Sequence, residues 1–328
     1  MLKKTIKILE YSRIFSLPMT ILSWLIVFTY SAIDSGNILY GLLSFLGIGL
    51  VHLATNLIDD FFDYKYLMKM VNFNKEEYLK NSQKTKCRYL ISGKITESNI
   101  LRVISAYLLT ALAIGGFLYI KCGTGVLYYM LAGGAIAILY PLLSRICLSE
   151  IAVALAYGPI LFGGVYYVMT GANSWEVFVL SIPSTIITVV LLYIHTIMDY
   201  EFDLNEGKKT IANRFNSELE ALVVLKVLLV SAYIGVIILC ITDITDWQVC
   251  LTFVTIPLAV DLYKSLAIYG SNRNEEPERC WYHRPMENLD KLREKGESSF
   301  MFRMYQSRNL MIYFSILFII GILFSLAL

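Results

Sequence analysis

Charged side chains are scarce in this chain of 328 residues: they make up 16% of the sequence, whereas hydrophobic residues make up 57%. The mean hydropathy is +0.60, far from the balance of a soluble domain. Apolar runs of about 20 residues, long enough to cross the hydrocarbon layer as a helix, recur along the chain. The composition therefore excludes a soluble protein and predicts an integral, multi-pass membrane protein that needs no cleavable signal.

Histidine and paired cysteines are also rare. The chain has three histidines, and its six cysteines form no C-x-x-C pair and no zinc-binding spacing. We therefore expect free thiols at Cys87, Cys122, Cys147, Cys240, Cys250 and Cys280. The net charge is only +2, and we expect membrane lipid rather than nucleic acid as a partner.

Nine apolar stretches are predicted to span the membrane. They are 15–35, 38–58, 100–120, 124–145, 149–171, 177–199, 219–241, 247–268 and 309–328. These runs are too long and too continuous for barrel strands, and a helix satisfies its own backbone hydrogen bonds in lipid. The predicted fold is an all-α membrane protein, a bundle of nine transmembrane helices. No low-complexity linker divides the chain, so we expect a single domain over 1–328.

Lysine and arginine are concentrated at the N-terminus and in the even-numbered connections between these stretches, and only Lys121 falls clearly on the opposite side. Short loops rich in these residues face the cytoplasm. We therefore predict a cytoplasmic N-terminus and long cytoplasmic loops at about 59–99 and 269–308. The second loop is either a cap over the cytoplasmic mouth or a solvated loop, and its many charges slightly favour the solvated loop.

Two acidic clusters interrupt the apolar pattern, each at a predicted cytoplasmic helix end. In "ATNLIDDFFDYK", residues 54–65, the spacing of Asn56, Asp60 and Asp63 puts them on one helix face. In "HTIMDYEFDLNEGKKTIANRF", residues 195–215, Asp199 and Asp203 share a face. One such patch is usually a solvated helix end, but two on the same side, both flanked by basic residues, indicate a site.

Opposed carboxylates repel each other unless a cation lies between them. Hard oxygen ligands suit Mg²⁺, which commonly binds one or two carboxylates together with phosphate oxygens of a substrate. Neighbouring lysine and arginine side chains would bind the remaining phosphate charge. The pattern therefore predicts a diphosphate held by metal at a membrane mouth, and a diphosphate with a long apolar tail is a prenyl diphosphate.

The sequence resembles the UbiA superfamily of intramembrane prenyltransferases, and in particular its naphthoate branch. The stretch from Thr55 to Tyr64 is similar to the first family motif, and "RYLISGKI" at 88–95 is similar to the Arg-containing stretch that follows it. "EIAVALAYGPILFGGVYYVMTG", 150–171, resembles the naphthoate branch. The second motif, D-x-x-x-D followed by G-K-x-T-x-A-x-R, is present as Asp199, Asp203, Gly207, Lys208, Thr210, Ala212 and Arg214.

The resemblance implies a nine-helix bundle with a central cavity in which Mg²⁺ holds a polyprenyl diphosphate. It implies that the metal ligands are Asp60, Asp63, Asp199 and Asp203, and that the phosphate contacts are Arg88, Lys208 and Arg214. Asn56 is predicted to bind substrate beside them. The implied activity is transfer of the polyprenyl group, within the membrane, to a small aromatic acceptor such as 1,4-dihydroxy-2-naphthoate, with the site's mouth on the cytoplasmic side.

Several further side chains are candidates because of their chemistry. Aromatic faces stabilise cations, so Tyr140 and Tyr193 are predicted to face a carbocation. His195 and His52 each precede an acidic motif by four positions, one helical turn deeper. Each is either an acceptor for the proton that the aromatic ring loses or a polar partner of the motif; His195 is the predicted catalytic histidine.

Three alternatives stay open from the sequence. Asp59, Leu67, His195 and Thr196 depart from the residues usual in the family and border its acceptor side, so an acceptor other than naphthoate is one alternative. A terpene cyclase of the same superfamily is the second. A transporter or lipid-binding scaffold is the third, although the acidic residues sit at span ends and the inverted repeats of many transporters are not evident.

Overall fold

The computed structural model describes residues 2–34, 36–70, 73–80, 86–205, 209–294 and 296–325. Within them, nine helical segments are long and apolar enough to cross a membrane. Spans 1 to 9 are Ile14–Ile33, Ile38–Leu67, Glu97–Cys122, Gly125–Leu143, Ser149–Thr170, Trp175–Met198, Glu218–Ile241, Trp247–Ser271 and Ser298–Phe324. The predicted all-α bundle is confirmed, and in these described ranges the β structure is a single bridge between Ile146 and Lys209.

Short helices lie in the described connections and ahead of span 1. They are Leu2–Tyr11, Lys75–Lys80, Arg88–Ile91, Tyr200–Asn205, Ala212–Arg214, Trp281–His283 and Leu289–Arg293. Polar caps set the start of several spans, because a side-chain oxygen accepts a hydrogen bond from an otherwise unpaired backbone N–H. Asn37, Thr96, Ser174 and Ser217 do this for spans 2, 3, 6 and 7.

Span 6 lies at the centre of the bundle and contacts spans 1, 5, 7 and 9. Most of its length is buried, from Val177 to Met198. Spans 2, 3 and 4 contact one another on one side of the molecule, and span 5 packs against spans 1, 2 and 4. The spans thus enclose a central space that opens on the side where span 2 ends and span 3 begins.

Span 5 is irregular where it passes this space. A π-helical turn covers Ala156–Ile160, in which Gly158 leaves helical geometry at φ −94° and ψ −111° and Pro159 has no N–H to donate. Such turns are frequent at functional sites. Here the turn carries Tyr157 into the wall of the central cavity.

Span 9 begins at Ser298, eleven positions before the start predicted from hydropathy. The discrepancy has a physical reason: the early turns carry buried polar side chains, among them Arg303, Gln306 and Asn309. Asn309 donates to the backbone oxygens of His283 and Pro285 (2.7 and 2.9 Å). The polar residues that lower the hydropathy of this stretch are therefore satisfied by the preceding connection rather than exposed to lipid.

The connection between spans 8 and 9 is anchored to the bundle at several points, while most of its described residues are exposed, so its role as a cap or a solvated loop stays a prediction. Arg273, Asn274 and Glu297, near its two ends, line the central cavity. Its middle is held by His283, whose Nδ1 accepts a hydrogen bond from the backbone N–H of Cys280 (3.2 Å). Nε2 of His283 therefore carries the ring hydrogen and donates to Asp261 (3.1 Å).

Asp261, Cys280 and His283 place their ligand atoms within 4.8 Å of one another, a spacing compatible with a metal ion. The hydrogen bonds argue against that use. A metal on Nε2 would leave a hydrogen on Nδ1 facing the Cys280 N–H, which is donor against donor. Tyr282 also donates to Asp261 (2.6 Å), and we interpret the group as an anchor for this connection.

Candidate active site

A cavity of about 1640 Å³ occupies the centre of the bundle and carries both acidic motifs in its wall. Asn56, Asp60 and Asp63 enter it from span 2, and Asp199 and Asp203 from the end of span 6 and the helix that follows. The structure therefore brings together the two clusters that lie about 140 positions apart in the sequence. The remainder of the wall, between spans 2, 3, 4 and 5, is mostly apolar.

Three cations neutralise the first motif. Arg13 pairs with Asp60 and lies 3.7 Å from Asp59. Lys86 binds Asp59 (3.0 Å) and Asp63 (3.3 Å). These contacts place positive charge directly beside Asp59 and Asp60, which are almost fully buried, 3% and 2% exposed.

Arg145, the third cation, approaches from the connection after span 4. It donates to Asp63 (2.8 Å), and its guanidinium stacks over the ring of Tyr66, 3.8 Å from the centroid. Arg13, Lys86 and Arg145 all line the cavity. The polar end of the cavity thus has positive charge beside its carboxylates, as a phosphate site needs.

Arg13 reaches Asp60 from an unusual backbone conformation. It precedes the short helical turn Ile14–Ser16 with φ 55° and ψ 51°, in the left-handed region that non-glycine residues rarely adopt. Burial lowers the pKa of Arg13, but the carboxylates of Asp60 and Asp59 outweigh this and raise it overall. The guanidinium is therefore permanently charged, and the strained backbone is maintained by the ion pair that it makes possible.

The second motif is built by the end of span 6. Asp199 is the residue at which the helix Trp175–Met198 ends, and the backbone N–H of Asp203 donates to the oxygen of Asp199 (2.8 Å), so the chain continues for one more turn. Asp203 is 2% exposed. Glu201 is not among the cavity-lining residues and pairs with Arg273 (3.1 Å), which does line the cavity.

A network of neutral polar groups lies deeper in the wall. Ser16 donates its hydroxyl hydrogen to the oxygen of Arg13 (2.7 Å), so its oxygen must accept from Nε2 of His52 (2.7 Å). Nδ1 of His52 is then an acceptor, approached by the hydroxyls of Tyr157 (2.6 Å) and Thr20 (2.7 Å). Asn56 joins the network by donating to Ser16 (3.1 Å).

This network decides between the two interpretations of His52. Both ring nitrogens are hydrogen-bonded within the protein, and the connection to Asn56 runs through Ser16. His52 is therefore the polar partner of the first motif rather than an uncommitted base. His195 lines the cavity one turn before Asp199, and its catalytic role stays a prediction.

The structure separates the two predicted tyrosines. Tyr140 lines the cavity, whereas the prediction for Tyr193 was wrong. Two positions from His195, the side chain of Tyr193 points to the opposite face of span 6. It is fully buried there and donates to the oxygen of Ala221 on span 7 (2.8 Å).

The three residues predicted to contact phosphate differ in their position relative to the cavity. Arg88 lines the cavity and donates to the oxygen of Leu79. Arg214 is exposed in the short helix Ala212–Arg214 and is not among the cavity-lining residues, so its phosphate contact stays a prediction. Lys208 lies outside the described residues.

Arg13, Lys86, Arg145 and Arg273 are among the cavity's cations that sequence reasoning did not place in the site. The first three had entered the argument only as charges that indicate the cytoplasmic side. A usable signal was present, because each lies within a few positions of a helix end on the side that carries the acidic motifs. Their partners, however, are far away in the chain.

The apolar part of the cavity is long. Along span 2, lining residues continue from Asp60 to Ser44, which is roughly 24 Å of helix at about 1.5 Å per residue. Along span 4 they continue from Tyr140 to Val126. Glycines occur repeatedly in this wall, and a Cβ added at Gly134 would meet no atom within 4 Å. The cavity therefore has space for an extended hydrocarbon chain.

Comparison with known proteins gives a consistent result. The profile of the UbiA prenyltransferase family matches residues 16–286. A 2-carboxy-1,4-naphthoquinone phytyltransferase from Synechocystis is 27% identical over 132 residues, which span 40% of this chain and 41% of that enzyme. The chain thus matches less than half the length of this curated relative.

Two solved structures share the fold. A digeranylgeranylglyceryl phosphate synthase superposes with a TM-score of 0.58 at 17% identity, over 99% of this chain and all of that one. A UbiA homologue from Archaeoglobus fulgidus, bound to GPP and Mg²⁺, superposes with a TM-score of 0.55 at 18% identity, over 93% of this chain and 99% of that one.

Proposed function

The chain belongs to the UbiA prenyltransferase family, and we propose that it transfers a polyprenyl group from its diphosphate to an aromatic acceptor inside the membrane. One observation carries the proposal: a single cavity joins both acidic motifs to a long apolar wall. The charged end suits a diphosphate and the wall suits its isoprenoid tail. The mouth faces the cytoplasm under the predicted orientation.

Magnesium fits the donor set of this cavity. The side chains in its wall offer carboxylate oxygens from Asp60, Asp63, Asp199 and Asp203, and hard oxygen ligands of this kind are those Mg²⁺ prefers. The ion pairs to Arg13, Lys86 and Arg145 show that this end of the cavity holds cations next to Asp60 and Asp63. The Archaeoglobus homologue with GPP and Mg²⁺ supports the same assignment. When bound, Mg²⁺ would neutralise charge on the departing diphosphate.

The residues of the chain perform the remaining tasks. The allylic C–O bond breaks with the electron pair on the diphosphate, so positive groups must lie where negative charge develops. Arg13, Lys86 and Arg145 are already in the wall and can exchange a carboxylate for a phosphate oxygen. The apolar wall keeps water away from the carbocation, and Tyr140 offers it an aromatic face.

We propose that the acceptor lies against His52, Thr20 and Tyr157. These form a neutral polar belt in the wall, deeper than Asp60, where a ring hydroxyl can exchange hydrogen bonds with Tyr157. The ring carbon bonds to the prenyl cation and its proton then leaves, with His195 as the proposed acceptor. The naphthoquinone phytyltransferase relative favours a bicyclic aromatic ring such as 1,4-dihydroxy-2-naphthoate.

Two other outcomes remain candidates. The resemblance in fold to a digeranylgeranylglyceryl phosphate synthase favours testing a non-aromatic, glycerol-phosphate acceptor. A cyclase would need no acceptor at all, because the cation would attack its own double bonds.

The test is product analysis by mass spectrometry with purified protein in lipid. Geranyl, farnesyl, geranylgeranyl and longer diphosphates are each supplied with dihydroxynaphthoate, other aromatic acceptors, geranylgeranylglyceryl phosphate or no acceptor, in Mg²⁺ or in EDTA. We expect a prenylated aromatic product in Mg²⁺ and none in EDTA. A prenylated glycerol phosphate would identify a glycerol-phosphate acceptor instead of an aromatic one. A cyclised hydrocarbon formed without acceptor would identify a cyclase. An intact donor under every condition would contradict the proposal.

A pair of variants ties that activity to the site. Asp60→Asn removes one ionised ligand and leaves Arg13 unpaired, and we expect turnover to fall by roughly 100-fold or more. Asp34→Asn is the matched control, because Asp34 is exposed at the other end of span 1 and accepts from Tyr166 (3.1 Å). Equal turnover of both variants, with both folded, would remove the first motif from the mechanism.

A further inference from the structure

Two cysteines that look unrelated in sequence meet at the far end of the bundle. Cys240 lies in the last turn of the helix Glu218–Ile241 and Cys250 in the 3₁₀ segment Trp247–Thr255 that opens span 8. Their Sγ atoms are 3.9 Å apart, and both are free thiols in the structure. A disulfide needs about 2.05 Å between sulfurs, so side-chain rotation of the two residues has to close less than 2 Å.

The pair lies on the face opposite the acidic motifs. Span 7 begins at Glu218, shortly after Asp203, and its 24 residues are about 36 Å long, which carries Cys240 across the bilayer. The distribution of lysine and arginine predicts that this face lies outside the cytoplasm. Thiols on that side meet an oxidising environment in many cells.

We propose that Cys240 and Cys250 are a disulfide-forming pair that covalently joins the end of span 7 to the start of span 8. No sequence pattern indicates this pair, since neither a C-x-x-C motif nor a disulfide framework is present. The intervening turn is short, and the Cys240 thiol donates to the oxygen of Asp246 within it (3.6 Å).

The chemistry needs an external disulfide as the oxidant. Cys250 is partly exposed and Cys240 is 3% exposed, so Cys250 is the accessible thiol. Its thiolate attacks the external disulfide, forms a mixed disulfide and releases one thiol. The Cys240 thiolate then attacks the Cys250 sulfur and releases the second thiol. The protein loses two protons and two electrons, and the external disulfide is reduced to two thiols.

The close packing of spans 8 and 9 determines which part of the bundle a Cys240–Cys250 disulfide would restrain. Val249, beside Cys250, packs so closely on span 9 that a Cβ at Gly321 would lie 2.6 Å from its Cα. A bond at Cys250 therefore restrains span 7 relative to the crossing of spans 8 and 9. In the unfolded chain the same bond closes a short loop, which lowers the entropy of unfolding.

The test traps thiols in native membranes. Membranes are quenched in acid, dissolved in detergent and alkylated with N-ethylmaleimide without reductant, so that buried free thiols also react. Peptides are then mapped by mass spectrometry. We expect a peptide pair linked through Cys240 and Cys250, lost on reduction, with Cys122 alkylated. Cys122 is the internal control because it ends span 3 on the same face. Alkylation of both Cys240 and Cys250 as free thiols would overturn the proposal.

Two variants give an independent readout. In oxidised protein, Cys250→Ser should lower the unfolding temperature by several degrees relative to the wild type, whereas Cys122→Ser should not. After reduction, the wild type and Cys250→Ser should unfold at similar temperatures. If the difference persists after reduction, Cys250 acts through packing alone and the proposal fails. Should Cys250→Ser not fold, the peptide map of the wild type still decides.

Discussion

At the scale of single residues, the site combines fixed ionic groups with a neutral hydrogen-bond network. Arg13, Lys86 and Arg145 form ion pairs with the first motif, whereas both ring nitrogens of His52 are hydrogen-bonded to hydroxyl groups. The first group is suited to phosphate and metal, and the second to an uncharged ring substituent. The proposed donor and acceptor sites can therefore be perturbed separately.

Tyr157→Phe tests that separation. The substitution removes the hydroxyl that reaches Nδ1 of His52 (2.6 Å) and keeps the ring in the wall. One hydrogen bond is worth about 0.5–1.5 kcal/mol, so we expect the KM of the acceptor to rise by up to about tenfold. The KM of the donor should be unchanged in the same steady-state measurements.

Tyr166→Phe is the control for Tyr157→Phe, because the Tyr166 hydroxyl donates to Asp34 (3.1 Å) and lies away from the cavity wall. It should alter neither KM. A rise in the donor KM with Tyr157→Phe would move the network from the acceptor to the diphosphate.

Arg303 provides a second prediction at this scale, for stability. Its guanidinium is fully buried and donates to the backbone oxygens of Ser265 (2.7 Å), Ser299 (2.7 Å) and Glu275 (2.9 Å). Arg303→Met leaves these oxygens without their donor, and we expect the free energy of unfolding to fall by about 2–4 kcal/mol. Thermal or denaturant unfolding in detergent measures it.

Arg293→Met is the matched control for Arg303. Arg293 pairs with Glu276 (2.6 Å) on the surface, where its side chain is 55% exposed, and exposed ion pairs contribute at most about 1 kcal/mol. Equal losses for the two variants would show that burial of Arg303 is not what stabilises the start of span 9.

At the scale of elements, close helix crossings set the shape of the bundle. At Gly321 on span 9, an added Cβ would lie 2.6 to 2.7 Å from backbone atoms of Val249 and Gln248 on span 8. Backbone atoms have no rotamer by which to move aside. The two spans cross this closely only because position 321 has no side chain.

Gly321→Ala should therefore separate spans 8 and 9 and lower the free energy of unfolding by about 1–3 kcal/mol. Gly116→Ala on span 3 is the opposite case, since a Cβ there meets nothing within 4 Å. Alanine is the better helix former, so this variant should be neutral or more stable by about 0.5–1 kcal/mol. The free energies of unfolding of the two variants are measured in parallel. A Gly321→Ala protein as stable as the wild type would contradict the inference that the close contact of spans 8 and 9 requires glycine at position 321.

At the scale of the whole molecule, an odd number of described spans puts the two ends of the chain on opposite faces. The basic connections predict that residues near 209 face the cytoplasm and residues near 325 do not. A green fluorescent protein fused after residue 209 should fluoresce, and alkaline phosphatase fused after residue 325 should be active outside the cytoplasm. The reverse pattern would invert the orientation and place the site's mouth, and the cysteine pair, on the other faces.

The class of fold could be predicted from the sequence alone, because crossing a bilayer requires long apolar helices and this requirement is local. The same local logic located Asp60, Asp63, Asp199 and Asp203 by their spacing on helix faces. It failed at Tyr193, because the direction of that side chain depends on which neighbouring helix span 6 packs against. It also failed at the start of span 9, because a hydropathy value contains no information on the hydrogen bonds that Arg303 makes with other segments.

Which groups of different segments meet could be read only from the packed structure. The pairing of Arg13 with Asp60, of Lys86 with Asp59 and of Cys240 with Cys250 joins residues on different helices or connections. Sequence spacing carries no information on these contacts, because they follow from how the spans pack rather than from the period of any one helix. The network around His52 belongs to the same class, and it is what distinguishes a polar partner from a free base.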